Sequence, residues 1–502
     1  MLIIGQRGIL NILMLFASRI GGGVVILFFV PLYNRLLGLE QFSVIVLILS
    51  LQSLLAILDL GVSTIVGREV SVISSSSNQA ISIWRNAEML MVVLYVSLIV
   101  IFLLINPFLT NPLSVNLVIG ASVLCLCLAV QNLAQVVIIG LKLFNIASLV
   151  QLLGVLIRAV GTVLALRYVA ATVNVFIGSQ LIMAVVHLAI TRSLAVRFIV
   201  CKQVKTEKIR WGLSSLIDLI KDARFLVVFG VAGAAVLQLD KPILAAFSSP
   251  KDVSEYFLAM TFCMTPLTIL ATPVAQYFQT RCLQIASDSN IADLKRIISV
   301  FAIVLVLVTG LPTMTLWYYR DWFVEFWLGN FPSINRVLSY TAILLPGIFF
   351  GSLGYIPFML LTSEKDYSYQ ACFSSILTVI TLLLVGILSY FHSISGVCLV
   401  YSFYHFISTT ISWVRASKLK RSSFYARHAL GIMIRLLIPI LLVSVIVNLA
   451  LSLFCSVESQ VFAFTVVMTT FSCVLSRWVL TVSEVNFNNS IAIVNDKIYV
   501  QK

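Results

Sequence analysis

Apolar runs of bilayer length, broken by short polar stretches, follow one another along the chain from Ile9 onward. A run of ~20 apolar residues crosses the hydrocarbon core as a helix. A window of ~19 residues predicts about fourteen such spans. The first six are expected at 9–30, 42–58, 89–105, 116–139, 145–166 and 173–191. Six more are expected at 225–247, 256–278, 297–318, 337–361, 369–390 and 396–414, with a final pair at 429–449 and 460–480. The predicted fold is therefore an all-α polytopic membrane protein, and an even number of spans puts both termini on one side.

The polar breaks choose that side, because Lys and Arg in short loops stay in the cytoplasm. With the N-terminus inside, the cytoplasmic segments carry 23 of the 33 basic residues, eight of them between Arg192 and Arg224, and the outer loops carry four: Arg35, Lys251, Arg320 and Arg336. The remaining six lie in or at the ends of spans. Both termini and the 192–224 segment are expected in the cytoplasm.

Composition agrees with the pattern: 60% hydrophobic residues, 10% charged and a mean hydropathy of +1.08 leave no polar face for a soluble fold. The net charge of +14 is what cytoplasmic loops beside anionic headgroups require, so no nucleic acid is expected as a partner. Nine cysteines lie mostly in spans without metal or disulfide spacing and read as small apolar fillers. Arg7 precedes a span of full bilayer length with no small-residue cleavage site, so this first span is expected to stay. No Walker A, Gly-x-Ser-x-Gly or His-Glu-x-x-His pattern occurs, which leaves ATP hydrolysis and metal-assisted group transfer without a visible site; no enzyme activity, cofactor or metal is expected.

The chain divides on this reading into a six-helix half at 1–191, a basic connector at 192–224, a second six-helix half at 225–414, and two extra helices with a tail at 415–502. A weak repeat supports two halves: Leu37-Gly38-Leu39-Glu40-Gln41-Phe42-Ser43 enters the second span as Ser248-Ser249-Pro250-Lys251-Asp252-Val253-Ser254 enters the eighth. Six spans per half preserve orientation, which corresponds to parallel repeats about an axis along the membrane normal with a site near the midplane.

Charge inside the spans marks the candidate site, because an intramembrane ion survives only against protein or water. Arg19 and Arg158 sit near the centres of their spans and Lys241 in the outer part of the seventh. Together they predict a cationic cavity, and arginine's fork suits phosphate or carboxylate, so the cargo is expected to be at least partly anionic. Asp240 and Asp59 are the carboxylates that could couple an ion or simply pair with a cation. Gln131, Gln135 and Gln276 are polar cavity candidates, the alternative being bonds between helices. Pro242, after Asp240 and Lys241, predicts a kinked or broken seventh span. Gly347, Gly351 and Gly354, at spacings of four and three, predict a close-packing or hinge face, and His187 reads as a polar packing residue.

The entry motif Leu37-Gly38-Leu39-Glu40-Gln41-Phe42, the exit motif Leu58-Asp59-Leu60-Gly61 with Arg68-Glu69, and Leu239-Asp240-Lys241-Pro242-Ile243-Leu244 with Ser254-Glu255-Tyr256 resemble Wzx-type polysaccharide flippases. These belong to the multidrug/oligosaccharidyl-lipid/polysaccharide exporter superfamily. The resemblance implies a bacterial inner-membrane flippase that moves undecaprenyl-pyrophosphate-linked O-antigen or capsule units by alternating access without ATP. It also implies membrane lipids, a glycan polymerase and a chain-length regulator as partners. Lys241-Pro242 departs from it, standing where the family commonly continues as plain apolar helix. A lipid II flippase and a drug or cation antiporter of the same superfamily are the alternatives; a glycan polymerase is disfavoured by the short outer loops.

Overall fold

The computed structural model describes residues 6–57, 66, 70, 77–105, 114–141, 143–201, 224–287, 291–329, 331–453 and 456–500. In chain order the described helices are α1 (Gln6–Ile57), α2 (Ser77–Ile105), α3 (Val115–Gly140), α4 (Phe144–Tyr168), α5 (Val173–Cys201), α6 (Arg224–Gln238), α7 (Asp240–Phe247) and α8 (Pro250–Ser287). They continue as α9 (Ile291–Tyr318), α10 (Arg320–Leu328), α11 (Ile334–Ser352), α12 (Tyr355–Ser363), α13 (Tyr367–Tyr390), α14 (Ile394–Lys418), α15 (Ser423–Ser452) and α16 (Val457–Val500). Among the described residues there is no strand, as the all-α expectation requires.

Among the described residues, thirteen candidate spans meet the length and hydropathy needed to cross a membrane, against about fourteen expected. The difference lies in α1. Its 52 residues would extend ~78 Å as one straight rod, far beyond a bilayer core. Gly38, at φ 75° and ψ 165°, bends it in a backbone region that is essentially glycine's alone. The segments before and after the bend are the first and second predicted spans. Two other predicted spans are each made of two helices: α6 with α7 forms the seventh, and α11 with α12 the tenth.

Packing divides the chain into two compact units, Met1–Thr261 with Tyr367–Val397, and Phe262–Asp366 with Cys398–Lys502. Packing units and sequence repeats are separate divisions. Helices α6, α7 and α13, from the proposed second six-helix half, pack within the first unit.

In the first unit, α3 packs on α5, α1 on α4, and α2 on α3, with Trp84, Met91, Tyr95, Leu133, Val137 and Ala195 in a shared core. Helix α13 runs parallel to α6 and α7. Thr378 donates to the Ala232 carbonyl at 3.1 Å, Gly386 faces Ile243, and the Tyr390 and Phe247 rings meet edge-on at 6.2 Å.

In the second unit, α9, α12, α15 and α16 bury Phe301, Leu305, Ile356, Leu436 and Phe464. The glycine face of the tenth span packs closely, as its spacing predicts. A Cβ at Gly347 would overlap Ser402, and one at Gly351 would overlap the His405 ring. This approach lets α14 bond α11 directly, with Ser402 donating to the Ile343 carbonyl at 2.6 Å and Thr409 to that of Phe350 at 3.2 Å.

Candidate functional site

The seventh span breaks where its sequence predicts. Pro242 has no N–H, so the Gln238 carbonyl loses its helical donor; α6 ends at Gln238, Leu239 intervenes, and α7 begins at Asp240. Two charges are buried at this break, Asp240 at 0% and Lys241 at 4% exposure. The Lys241 Nζ lies 2.9 Å from Asp240 Oδ1 and also donates to the Leu237 carbonyl. The other carboxylate oxygen, Asp240 Oδ2, accepts a bond from the Tyr256 hydroxyl on α8 at 2.7 Å. The charges thus cancel locally, which is the condition on which a buried ion pair survives.

A second polar region lies among α1, α3, α4 and α5. It is set by glycine and arginine on one face of α4. Gly154 is flush against the His187 ring of α5, where a Cβ would overlap it, and Gly161 abuts Met183. Arg158 stands between those glycines, within electrostatic reach of Tyr33 on α1 and of His187. Its Nε is buried without a hydrogen-bond partner, and no carboxylate among the described residues pairs with it. Tyr33 donates to the Ala159 carbonyl at 3.3 Å and sets its ring edge-on to Phe176 at 5.2 Å. Ser179 donates to Thr162 Oγ1 at 3.2 Å, tying α5 to α4 beside it.

Gln131 and Gln135 reach the same region from α3. Gln131 Nε2 donates to Gln151 Oε1 at 3.2 Å and lies 3.5 Å from His187 Nε2; Gln135 Nε2 donates to the Ala147 carbonyl at 2.5 Å. Both glutamines therefore join α3 to α4. His187 is buried, and its own carbonyl accepts from Thr191.

The remaining sequence candidates fall elsewhere. Arg19 lies within α1 but its side chain is outside the described residues, as is Asp59 altogether. Gln276 sits on an exposed face of α8, in the part of that helix belonging to the second unit. Arg158 and Lys241 share a unit, yet the groups around them are wholly separate. Sequence reasoning assigned no role to Tyr33, Gln151 or Tyr256. Tyr256 belongs to a motif quoted above, but its bond to Asp240 crosses 16 residues and a helix break.

The two stretches that enter the second and eighth spans touch. Ser254 Oγ donates to the Leu39 carbonyl at 2.9 Å, next to the bend at Gly38, and Phe42 meets Phe257 edge-on at 5.9 Å. Ser249 and Asp252 cap the start of α8 reciprocally, each backbone N–H bonding the other's side chain at 3.3 Å. A contact of this kind can hold one end of a bundle shut.

Comparison with known proteins adds family and fold. Residues 9–277, more than half of the chain, match the family described as "Polysaccharide biosynthesis protein". No curated protein matches the chain in sequence. Among solved structures, the fold is similar to that of the lipid II flippase MurJ in an inward closed conformation, with a TM-score of 0.66, 13% identity, and coverage of 96% of this chain and 100% of that one. It is also similar to an inward-facing multidrug resistance transporter of the MATE family, at TM-score 0.61 and 12% identity over 83% and 95% of the two chains. A third likeness is to a transporter from Pyrococcus furiosus whose binding pocket is described as having reverse polarity. There the TM-score is 0.58 and the identity 11%, over 81% and 94% of the chains.

Proposed function

The chain belongs to the polysaccharide biosynthesis protein family, and from that premise we propose that it is a flippase for undecaprenyl-pyrophosphate-linked oligosaccharide units of O-antigen or capsule. It works in the bacterial inner membrane with both termini in the cytoplasm. The observation that carries the anionic cargo is Arg158, a cation with a buried, unpartnered Nε and no carboxylate among its described neighbours. Holding such a charge inside a membrane protein is costly unless something anionic visits it. A guanidinium offers a planar fork to a pyrophosphate or an acidic sugar, and Arg19, on α1, is assigned the same task.

Movement follows from alternating access. The contact of Ser254 with the Leu39 carbonyl supports a state closed at the entry turns, and its release opens that end while the lipid tail stays in the bilayer. No ATP enters the cycle. A glycan polymerase and a chain-length regulator take up the product on the outer face.

Replacement of the two arginines tests the reading. Arg158→Ala and Arg19→Ala each abolish surface glycan while membrane levels of the protein stay near normal, and Lys at either position restores only part of it. Normal surface glycan in both alanine variants rejects the cargo assignment. A lipid II flippase is the second reading, kept because the fold is so close to one; rescue of cells depleted of their own lipid II flippase would establish it in place of the first.

A further inference from the structure

A carboxylate buried at a broken membrane helix, beside a backbone carbonyl released by the break, is the type of place where transporters coordinate a coupling cation. Here the oxygens of Asp240 and Leu237 converge on a single positive centre, and that centre is the ammonium of Lys241. We propose that Lys241 is a tethered counter-cation that permanently fills the position an exchangeable monovalent cation would take beside Asp240, so that this site binds no free ion during transport.

Three features support permanence. The ammonium belongs to the residue next to the carboxylate, so a rigid-body movement of helices cannot separate the pair by carrying them on different elements. Pro242 enforces the break that releases backbone acceptors at this level. Tyr256 occupies the second carboxylate oxygen, leaving the pair nearly enclosed, with side-chain exposures of 6% for Lys241 and 1% for Asp240. Lysine also carries three donors and no acceptor, which matches a nest of oxygens as a metal cation would.

Removal of the tether should convert the site into a true cation site. Lys241→Met keeps the length and packing of the side chain but leaves a carboxylate and a carbonyl unmatched. In detergent, the thermal unfolding midpoint of the full wild-type chain is expected to be the same in sodium, lithium, potassium and choline chlorides of equal ionic strength. That of Lys241→Met should be lower in choline and rise with the logarithm of sodium, lithium or potassium concentration. The double variant Asp240→Asn with Lys241→Met should lose this response. A wild-type midpoint raised by a small cation over choline, with the rise absent in the double variant, overturns the proposal. So does a folded Lys241→Met indifferent to every cation, or one that stays unfolded in all of them while the double variant folds. Where neither variant folds, the wild-type series decides. The readout is ion-dependent stability, so it stands or falls separately from the identity of the cargo.

Discussion

Lys241 and Arg158 are both cations inside the first unit, and they are held in opposite ways. Lys241 has a carboxylate 2.9 Å away, a backbone carbonyl as a second acceptor, and a tyrosine completing the carboxylate's shell. Arg158 is flanked by a tyrosine and a histidine, neither of which offers a negative charge to match it, and its Nε bonds nothing. The first arrangement is closed electrostatically and has nothing left to offer a visitor. The second is open, and its polar neighbours are spent on one another: Tyr33 on a carbonyl, Gln131 on Gln151. On this difference rests the proposal that Arg158, and not Lys241, meets the cargo.

The largest effect expected from breaking this contrast is on stability at Lys241. Removing one member of a buried pair leaves the other uncompensated, so Lys241→Met or Asp240→Asn alone should cost ~3–5 kcal/mol, read as a loss of folded protein in the membrane. The double replacement should recover most of it. Arg158→Met should do the reverse: no bond is lost and an uncompensated charge is removed, so folded protein should hold its level or rise while surface glycan disappears. Equal destabilisation by both single changes would erase the distinction. The packing around Arg158 can then be probed through Gly154→Ala, whose new methyl meets the His187 ring. Overpacking there should cost ~1–3 kcal/mol and lower transport in proportion to folded protein. The smallest effect belongs to Tyr256→Phe, which removes one hydrogen bond to Asp240 and should lower the midpoint by the equivalent of ~1 kcal/mol without introducing ion dependence.

Much of this architecture was legible from residue spacing. Gly347, Gly351 and Gly354 announced a close-packed face because only glycine at four- and three-residue intervals lets a neighbouring backbone in, and α14 occupies that face. Pro242 announced the break of the seventh span, and the count of spans differs only where Gly38 bends one long helix into two. What stayed hidden depends on helix rotation. A helix apolar all round has no polar side to show which way it faces, so nothing along α4 indicated that Gly154 and Arg158 turn towards α5. The same gap concealed Tyr33 and Tyr256, whose hydroxyls matter only through bonds to residues on other helices or beyond a break. Gln131 and Gln135 were legible as a shared face, but their use as joints between α3 and α4 came only with the helix α4 in place.

The first unit is discontinuous in the chain, since α13 packs along α6 and α7 although residues 262–366 of the other unit are translated in between. During synthesis α6 therefore enters the membrane well before its permanent neighbour exists. The Ala232 carbonyl waits for Thr378, and Phe247 waits for Tyr390. A chain cut short of residue 367 should therefore lack the neighbour that covers this flank of α6 and α7 in the folded protein.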